Sequence, residues 1–188
     1  EDIAGNPSRY SGAFRAFAEF MPIETDVEHD GANNPSLQLF ASYDFGPLVT
    51  TFALDQRQYR DKMVCEDDFM VIPCSATNAS DRTILGVPQK DWFKEGLGGT
   101  PARWKLVLNE VMLSPFKVPA RTDRNGFRLG RELYEEKAGW TESGYVLNLD
   151  SWDGFPAERS EILNFIADEN IKNTVFCTGD IHSAYDIV

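Results

Sequence analysis

Two different periods of apolar residues run along the first third of the chain, and they predict one helix and two strands. In residues 12–21 the apolar side chains recur three or four positions apart, which predicts a helix that ends before Pro22. Residues 37–46 instead alternate apolar and polar side chains, a pattern typical of a half-buried strand. The apolar run 48–54 follows after a Gly-Pro pair, so the two strands are predicted to form a hairpin.

Apolar runs in the rest of the chain predict strands that alternate with helices. Residues 89–97 suit a short helix that ends at a pair of glycines, and residues 156–170 suit a helix that begins at a proline. The nearly continuous apolar run 104–113 is typical of a central strand covered on both faces, and residues 173–179 form another buried run. This order predicts an α/β domain with a mixed sheet, whose ligands bind beyond the carboxyl ends of the strands.

The composition suits one globular domain with an acidic surface. With 188 residues, 42% of them hydrophobic, the chain is predicted to form a single domain over residues 1–188. Acidic residues outnumber basic ones by 30 to 18, which gives a formal net charge of −12. That charge argues against a nucleic-acid-binding protein, which needs a basic surface. It still allows a small phosphorylated substrate, because local cations or metal ions can reverse the sign of the potential inside a cleft.

Neither end of the chain looks like a natural terminus. It begins with EDIAGN and ends with YDIV, without an initiator methionine or a charged leader before an apolar stretch. We therefore expect a piece of a longer protein, or a mature form whose leader has been removed. No apolar run approaches the roughly 20 residues that span a bilayer, so no membrane span is predicted.

Three cysteines leave the redox compartment open. Cys65 and Cys74 flank a short loop-like segment that a disulfide between them would staple, and such a bridge implies an oxidising compartment. Three free thiols in a cytosolic protein are the equal alternative. Cys177 lies in an apolar run and is predicted to be a small buried hydrophobic residue.

Polar side chains stand at the carboxyl ends of three predicted strands. They are, in chain order, Asp55 with Arg57 and Arg60, Asn109 with Glu110, and Asp180 with His182. A buried Asn or Asp is costly there unless a partner satisfies it, and a bound cation is one such partner. The alternative is that each side chain closes a turn or pairs with a neighbouring arginine. His182 is one of two histidines, and the other, His29, is predicted to lie in a solvated acidic loop.

The segment SWDGFPAERSE, residues 151–161, places an aromatic and acidic motif directly before the last predicted helix. Asp153 is predicted to cap that helix. Arg159 lies in its first turn, where the helix dipole disfavours a cation, so a specific anionic partner is expected. That partner is either a ligand or, more simply, Glu158 or Glu161.

Motifs of several other enzyme classes are missing from the sequence. It has no Gly-rich phosphate loop, no serine nucleophile elbow and no Cys-x-x-Cys pair, which argues against a kinase, an α/β-hydrolase and a zinc ribbon. The basic residues within 117–137 are predicted to form a solvated loop face, although they would also draw phosphate toward a cleft.

Six segments, taken in order, resemble the alkaline phosphatase D (PhoD-like) family of metallophosphoesterases. They are AFAEFMPI, FALDQRQYRD, RTILGVPQKDWF, ARWKLVLNEVM, DSWDGFPAER and NTVFCTGDIHS, and they span nearly the whole chain. The resemblance implies part of a four-layer α/β/β/α sandwich with mixed sheets. It also implies an exported enzyme, secreted, periplasmic or on the cell surface, that hydrolyses phosphate monoesters or diesters and carries iron with calcium.

The same resemblance assigns roles to six of the polar residues. The implied metal ligands are Asp180, His182 and Asn109, and the implied residues of the catalytic cleft are Arg57, Asp153 and Arg159. Of these, Arg57 or Arg159 is expected to contact phosphate. The resemblance also favours a disulfide between Cys65 and Cys74, since exported relatives often carry cysteines in this loop.

The sequence departs from the family pattern at its start. The family's first metal ligands lie upstream of AFAEFMPI, in Asp-, Cys- and Tyr-bearing strand ends that this chain lacks. We therefore expect an N-terminal segment or a partner chain to complete the site. The alternative function is a non-catalytic phosphate-binding or structural module that retains half of the fold.

Overall fold

The structure is a computed structural model, and within its described residues it contains three α-helices, two short 3-10 helices (Ser75–Asn78 and Trp152–Gly154) and eight strands. The described residues are 7–23, 27–29, 35–65, 73–118, 145–146 and 149–179. The helices are α1 (Pro7–Phe20), α2 (Val87–Gly99) and α3 (Pro156–Asp168). The strands are β1 (Val27–His29), β2 (Pro35–Leu37), β3 (Ala41–Phe45), β4 (Val49–Ala53), β5 (Trp104–Asn109), β6 (Lys117–Val118), β7 (Tyr145–Val146) and β8 (Thr174–Thr178).

The chain forms two compact units, Glu1–Ala41 and Ser42–Val188. In the first unit, α1 lies beside an antiparallel pair of short strands, β1 and β2. His29 pairs with Pro35 in this ladder, so His29 lies in a strand and not in the predicted loop. The second unit holds the larger sheet and both remaining helices. A single domain over residues 1–188 stays a prediction.

The larger sheet has the strand order β3-β4-β5-β8. Strand β4 pairs with β5 in parallel, and β5 pairs with β8 in parallel. Strand β3 neighbours β4 across a three-residue connection, which is long enough only for an antiparallel hairpin. Gly46 in that connection adopts a φ of 59°, a conformation that favours glycine. The sheet is therefore mixed, as the sequence predicts.

One face of the sheet carries the core of the second unit. Phe52 and Val107 are paired in register and fully buried, and Phe176 extends the same face onto β8. The helix side chains that cover this face include Phe93 and Leu97 of α2 and Ile162 of α3. Gly96 allows α2 to approach closely, since a Cβ there would lie 2.6 Å from the Phe52 ring.

On β5 and β8 the opposite face of the sheet is largely exposed, contrary to the prediction that the strand in 104–113 is covered on both faces. Trp104, Leu108 and Val175 point to this side and are 40%, 43% and 42% exposed. Cys177 shares the face and is also exposed, so its predicted burial is wrong. Apolar side chains on both faces of a parallel ladder are the usual sign of a sheet covered on both sides.

Several predicted boundaries shift in the structure. The strand predicted over 37–46 is divided between β2 and β3, and β3 is exposed at most of its positions rather than half-buried. The helix α2 continues through both glycines that were predicted to end it. Strand β5 stops at Asn109, four residues before the predicted end, because the chain turns there.

Cys65 and Cys74 form a disulfide, with an S–S distance of 2.00 Å and Cα atoms 5.9 Å apart. Of the two alternatives that the sequence left open, a disulfide or free thiols, the structure therefore contains the disulfide. Among the described residues, no helix has the length and apolar character needed to cross a bilayer.

Candidate functional site

The carboxyl ends of β4, β5 and β8 lie along one edge of the sheet because these strands are parallel. The backbone N–H of Leu54 donates to the Leu108 carbonyl at 3.1 Å, which extends the β4–β5 ladder to the point where β5 ends. The polar residues predicted from the strand ends are thereby collected at this edge, and their hydrogen bonds define what each does.

Asp55 closes the turn that follows β4. Its Oδ1 accepts the backbone N–H groups of Arg57 at 3.0 Å and Gln58 at 3.1 Å, and Oδ2 accepts the Gln58 amide. The buried side chain of Gln89, on α2, holds the backbone of Asp55 by donating to its carbonyl and accepting from its N–H, both at 2.8 Å. The turn-closing alternative therefore describes Asp55, and the turn presents Arg57 and Arg60.

Arg57 and Arg60 both contact the carboxylate of Asp150. Arg57 Nη1 lies 2.6 Å from Asp150 Oδ2, and Arg60 Nη1 contacts Oδ1. Arg60 also donates to the Asp150 carbonyl at 2.9 Å. The predicted phosphate contact Arg57 thus stands at the site edge with a carboxylate beside its guanidinium group.

Asn109, the last residue of β5, is buried and joined to three elements. Its Nδ2 donates to the Val111 carbonyl and, at 3.1 Å, to Thr178 Oγ1 at the end of β8. Its Oδ1 accepts the indole N–H of Trp152 at 3.1 Å. An amide oxygen accepts two hydrogen bonds, so Oδ1 keeps one lone pair beyond its bond to Trp152.

Gln56 and Glu110 form a second link between β4 and β5, which the sequence did not predict. The backbone N–H of Gln56 donates to Glu110 Oε2 at 2.7 Å, while Gln56 Oε1 accepts from the backbone of Glu110 at 2.8 Å and of Val111 at 3.1 Å. Burial raises the pKa of Glu110, and the negative charge of Asp55 raises it further, whereas the hydrogen bond from the Gln56 backbone lowers it. The sequence does contain a sign of Gln56, since it is a polar residue that follows a buried strand. The same description fits Asp55, so the pattern does not single out Gln56.

Asp153 and Arg159 form a buried ion pair with Nη1 and Oδ1 2.8 Å apart, and their side chains are only 3% and 11% exposed. Asp153 Oδ2 also accepts the backbone N–H of Phe116 at 2.9 Å, and Arg159 Nη1 donates to the Leu113 carbonyl at 3.4 Å. The pair therefore fixes the segment that leaves β5. The predicted cap is wrong, because the residue that caps α3 is Phe155 and makes no side-chain capping bond.

The partner of Arg159 is thus Asp153, and the nearby glutamates have other partners. Glu158 is buried, and its Oε2 accepts the backbone N–H of Ile84 at 2.9 Å. Glu161 contacts Lys90 and Lys94 on α2 at 2.9 and 3.1 Å. The simpler alternative, an arginine bridge to one of these glutamates, is not what the structure contains.

Gly154 has its own structural requirement in the same motif. A Cβ at this position would lie 2.1 Å from the carbonyl oxygen of Leu149, closer than atoms can approach. Only glycine therefore fits at position 154, where the motif passes close to the Leu149 carbonyl. The segment DSWDGFPAER packs Trp152 and Phe155 into the core, while its polar side chains bind two separate backbone segments, at Ile84 and within 113–116, and the Asn109 side chain.

The predicted metal ligands Asp180 and His182 lie outside the described residues. The description ends at Gly179, whose backbone N–H donates to the Asn109 carbonyl at 3.4 Å. Within the part of the chain that the structure describes, no group of three or more His, Cys, Asp or Glu side chains is arranged to hold a metal ion. Of the six predicted site residues, the structure therefore locates four: Asn109 and Arg57 at the strand edge, and the Asp153–Arg159 pair behind it.

Comparison with known proteins places the chain beside phosphatases. A family model described as PhoD-like phosphatase matches residues 4–187. Alkaline phosphatase D of Bacillus subtilis (strain 168) is 28% identical over 177 residues, which cover 94% of this chain and 26% of that protein. A solved structure, "Structure of PhoD", matches with a TM-score of 0.76 and 27% identity over 97% of this chain and 30% of that one. The chain thus spans less than a third of the length of either relative, and the resemblance predicted from its motifs is confirmed.

Proposed function

Because this chain belongs to the PhoD-like phosphatase family, we propose that it is part of a phosphoric ester hydrolase that cleaves phosphate monoesters or diesters with a metal-activated water. The observation that carries the proposal is the hydrogen bond between Gly179 and Asn109 at the carboxyl edge of the sheet. Gly179 bonds Asn109, and Asp180 and His182 follow Gly179 within three positions of the sequence, so two further residues of metal-ligand type come directly after the residue that contacts Asn109.

The proposed metal ligands are Asp180, His182 and Asn109. Their donor atoms suit hard and borderline cations, consistent with the iron and calcium that the family resemblance implies. Asn109 fits in one specific respect, since both of its described donor bonds leave from Nδ2 and Oδ1 retains a lone pair. A bound metal would polarise the phosphoryl group and lower the pKa of a bound water.

The remaining predicted site residues divide into two roles. We propose Arg57 as the phosphate contact, since its side chain is partly exposed at the strand edge. We propose Asp153 and Arg159 as positioning residues, because their buried pair holds the backbone at Leu113 and Phe116, directly after the β5 end. Neither of the two is exposed enough to leave the pair for a ligand without a cost.

The test is metal analysis and hydrolysis assays on the intact protein. We expect it to contain iron and calcium and to hydrolyse p-nitrophenyl phosphate or bis-p-nitrophenyl phosphate. The substitution His182→Ala should lower kcat/KM by more than the roughly 10- to 100-fold that loss of an outer-shell partner costs, together with loss of metal. His29→Ala is the matched control, since His29 lies in β1, and it should change neither quantity. An intact protein that is metal-free and inactive on both esters would refute the proposal.

A non-catalytic phosphate-binding module is the second candidate. It is supported by the internal bonds of Asn109, Asp153 and Arg159, which give each of these polar side chains a structural function without a ligand. The same metal analysis discriminates between the two candidates. An intact, folded protein that binds inorganic phosphate but holds no metal and releases no p-nitrophenol is the module.

Two wider features of the family resemblance are also proposals. The exposed apolar face of the sheet, with Trp104, Leu108 and Val175, suits a second sheet from elsewhere in a longer protein, as the four-layer sandwich requires. The relatives are long enough to supply one. The Cys65–Cys74 disulfide supports an exported protein, since disulfides persist in oxidising compartments. A small phosphorylated ester, and not a nucleic acid, is the proposed ligand.

A further inference from the structure

The carboxylate of Asp150 is shared by two guanidinium groups at the edge of the proposed site. One oxygen, Oδ2, contacts Arg57 Nη1 at 2.6 Å, and the other, Oδ1, contacts Arg60 Nη1. Asp150 is the first residue of the DSWDGFPAER motif, whereas both arginines belong to the turn after β4. One acidic side chain therefore binds both cations that this turn presents.

The two arginines differ in how firmly they hold Asp150. Arg60 is 24% exposed and bonds the backbone carbonyl of Asp150 as well as its carboxylate. Arg57 is 42% exposed and contacts the carboxylate from the more open side. Because a backbone bond survives any rotation of the Asp150 side chain, Arg60 anchors the aspartate, and the greater exposure of Arg57 makes it the arginine that a ligand can reach.

The neighbouring carboxylates are bound to other groups. Asp55 accepts backbone N–H groups of its own turn, and Glu110 accepts the backbone N–H of Gln56. Both arginines are nevertheless close enough to Glu110 to act on it: burial raises the pKa of Glu110, while Arg57 and Arg60 lower it. The Arg57–Asp150 contact is thus within electrostatic range of the β5 end, where Asn109 lies.

We propose that Asp150 is a specificity-determining residue, an internal anion that competes with the phosphoryl group of the substrate for Arg57. The proposal rests on the proposed function, which assigns Arg57 to phosphate. A ligand that binds Arg57 must displace the Asp150 carboxylate or share the guanidinium group with it. The penalty from the nearby negative charge grows with the charge of the ligand, so Asp150 disfavours a dianionic monoester more than a monoanionic diester.

The test measures binding of inorganic phosphate, phenyl phosphate and diphenyl phosphate to the intact protein by calorimetry. We expect Asp150→Asn to tighten binding of phosphate and phenyl phosphate about two- to fivefold, the range of an exposed charge pair, and of diphenyl phosphate by less than about twofold. Glu161→Gln is the matched control. Glu161 is also shared by two cations, Lys90 and Lys94, so the control removes the same charge from the same kind of cluster on the outer face of α2 and α3.

A double-mutant cycle identifies Arg57 as the group through which Asp150 acts. In an Arg57→Gln background, Asp150→Asn should change log Kd for phosphate by less than half of the change that it causes when Arg57 is present. The proposal is overturned if the Asp150→Asn variant binds phosphate no more tightly than the Glu161→Gln variant. It is also overturned if Asp150→Asn tightens phosphate binding equally with and without Arg57. These are binding measurements, so a protein that hydrolyses no ester but shows the Arg57-dependent gain refutes the proposed hydrolysis and leaves the role of Asp150 standing.

Discussion

Glu158 is a buried acid whose partners are the Thr83 side chain and backbone N–H groups rather than a cation in direct contact. Its carboxylate accepts the N–H of Ile84 at 2.9 Å and lies at the start of α3, where the helix dipole favours negative charge. Burial nevertheless raises the pKa of Glu158 above its ordinary value of 4.5, against the opposing effect of its hydrogen bonds and of Lys90. The charged form of this side chain is therefore less favourable in the folded protein than in the unfolded chain.

This raised pKa predicts a contribution to stability that falls as pH rises. Above 4.5 the unfolded chain loses the Glu158 proton first, so the folded state holds more protons and its stability decreases until the folded pKa is passed. Glu158→Gln should remove this dependence and still accept the Ile84 N–H. We expect the variant to gain stability relative to the parent between pH 4 and pH 7, measured by urea unfolding across that range.

Glu161, on the same helix, is the control with the opposite sign. Burial is the largest single effect and raises its pKa, but the hydrogen bonds and charges of Lys90 and Lys94 together outweigh it, so the net pKa lies below the ordinary value. Its contribution is present above 4.5 and is lost as pH falls through the folded pKa. Glu161→Gln should therefore lose stability relative to the parent as pH rises toward 7. If both variants shift in the same direction, the assignment of Glu158 is wrong.

At the residue scale, the sequence indicated which side chains need a partner but not which partner they have. Asn109 in an apolar run predicts a satisfied buried amide, and the structure contains one, bonded to Thr178 and Trp152. Those residues are 69 and 43 positions away, so no local pattern points to them. Asp55 was easier to interpret, because its partners lie two and three residues further along the chain.

At the scale of elements, the DSWDGFPAER segment fixes the chain that leaves β5. The Asp153–Arg159 pair bonds the backbone at Phe116 and Leu113, while Trp152 reaches back to Asn109 at the strand end. A buried ion pair is weak evidence for stability as such, because burying both charges is costly. Its effect here is to fix the position, relative to α3, of the segment that leaves β5, residues 110–116, which we call the β5 exit segment.

Removing one partner of the Asp153–Arg159 pair should lower the free energy of unfolding by far more than the intact pair contributes to it. Asp153→Ala leaves Arg159 buried without a counter-ion and the Phe116 N–H without its acceptor, which we expect to cost about 3–5 kcal/mol in the free energy of unfolding. The double variant Asp153→Ala/Arg159→Met should recover part of that loss, because it removes the uncompensated charge. Urea unfolding of the three proteins gives the values.

The exposed pair Arg15–Glu19 on α1 is the matched control for the buried pair. It has the same chemistry, with Nε and Oε1 2.6 Å apart, but both side chains are largely exposed. Glu19→Ala should therefore change the free energy of unfolding very little, because water screens an exposed pair. A loss for Asp153→Ala as small as that for Glu19→Ala would mean that the pair does not hold the β5 exit segment.

The periodic elements were predictable from the sequence, and their interruptions were not. Periods of 3.6 and 2 located α1, α3 and the β3–β4 hairpin, because one face of each element is apolar. The break between β2 and β3 was missed, since residues 38–40 continue the alternation although they pair in neither strand. The same holds at Gly98 and Gly99, which were predicted to follow the helix and instead form the last two residues of α2 despite their low helix propensity.

At the scale of the whole molecule, the sheet has one covered face and one exposed apolar face. The composition predicted enough hydrophobic residues for one core, and the family motifs predicted a mixed α/β fold, which the structure and its relative confirm. Neither shows which face of the sheet is left uncovered in this structure. That information lies in residues such as Leu108 and Val175, which are apolar on the side of the sheet that neither α2 nor α3 covers.

Cys177 makes the proposed covering of this face measurable, since it is an exposed thiol on β8, and the chain's other two cysteines are joined in the disulfide. If a second sheet packs on the face in the intact protein, Cys177 should react with a thiol reagent more than about tenfold slower than after denaturation, because reaction then requires local opening. Cys177→Ser identifies the signal as that of this residue. A native thiol that reacts at the denatured rate, in a protein that still binds its metals, would mean that the face is open and that the four-layer arrangement is wrong for this protein.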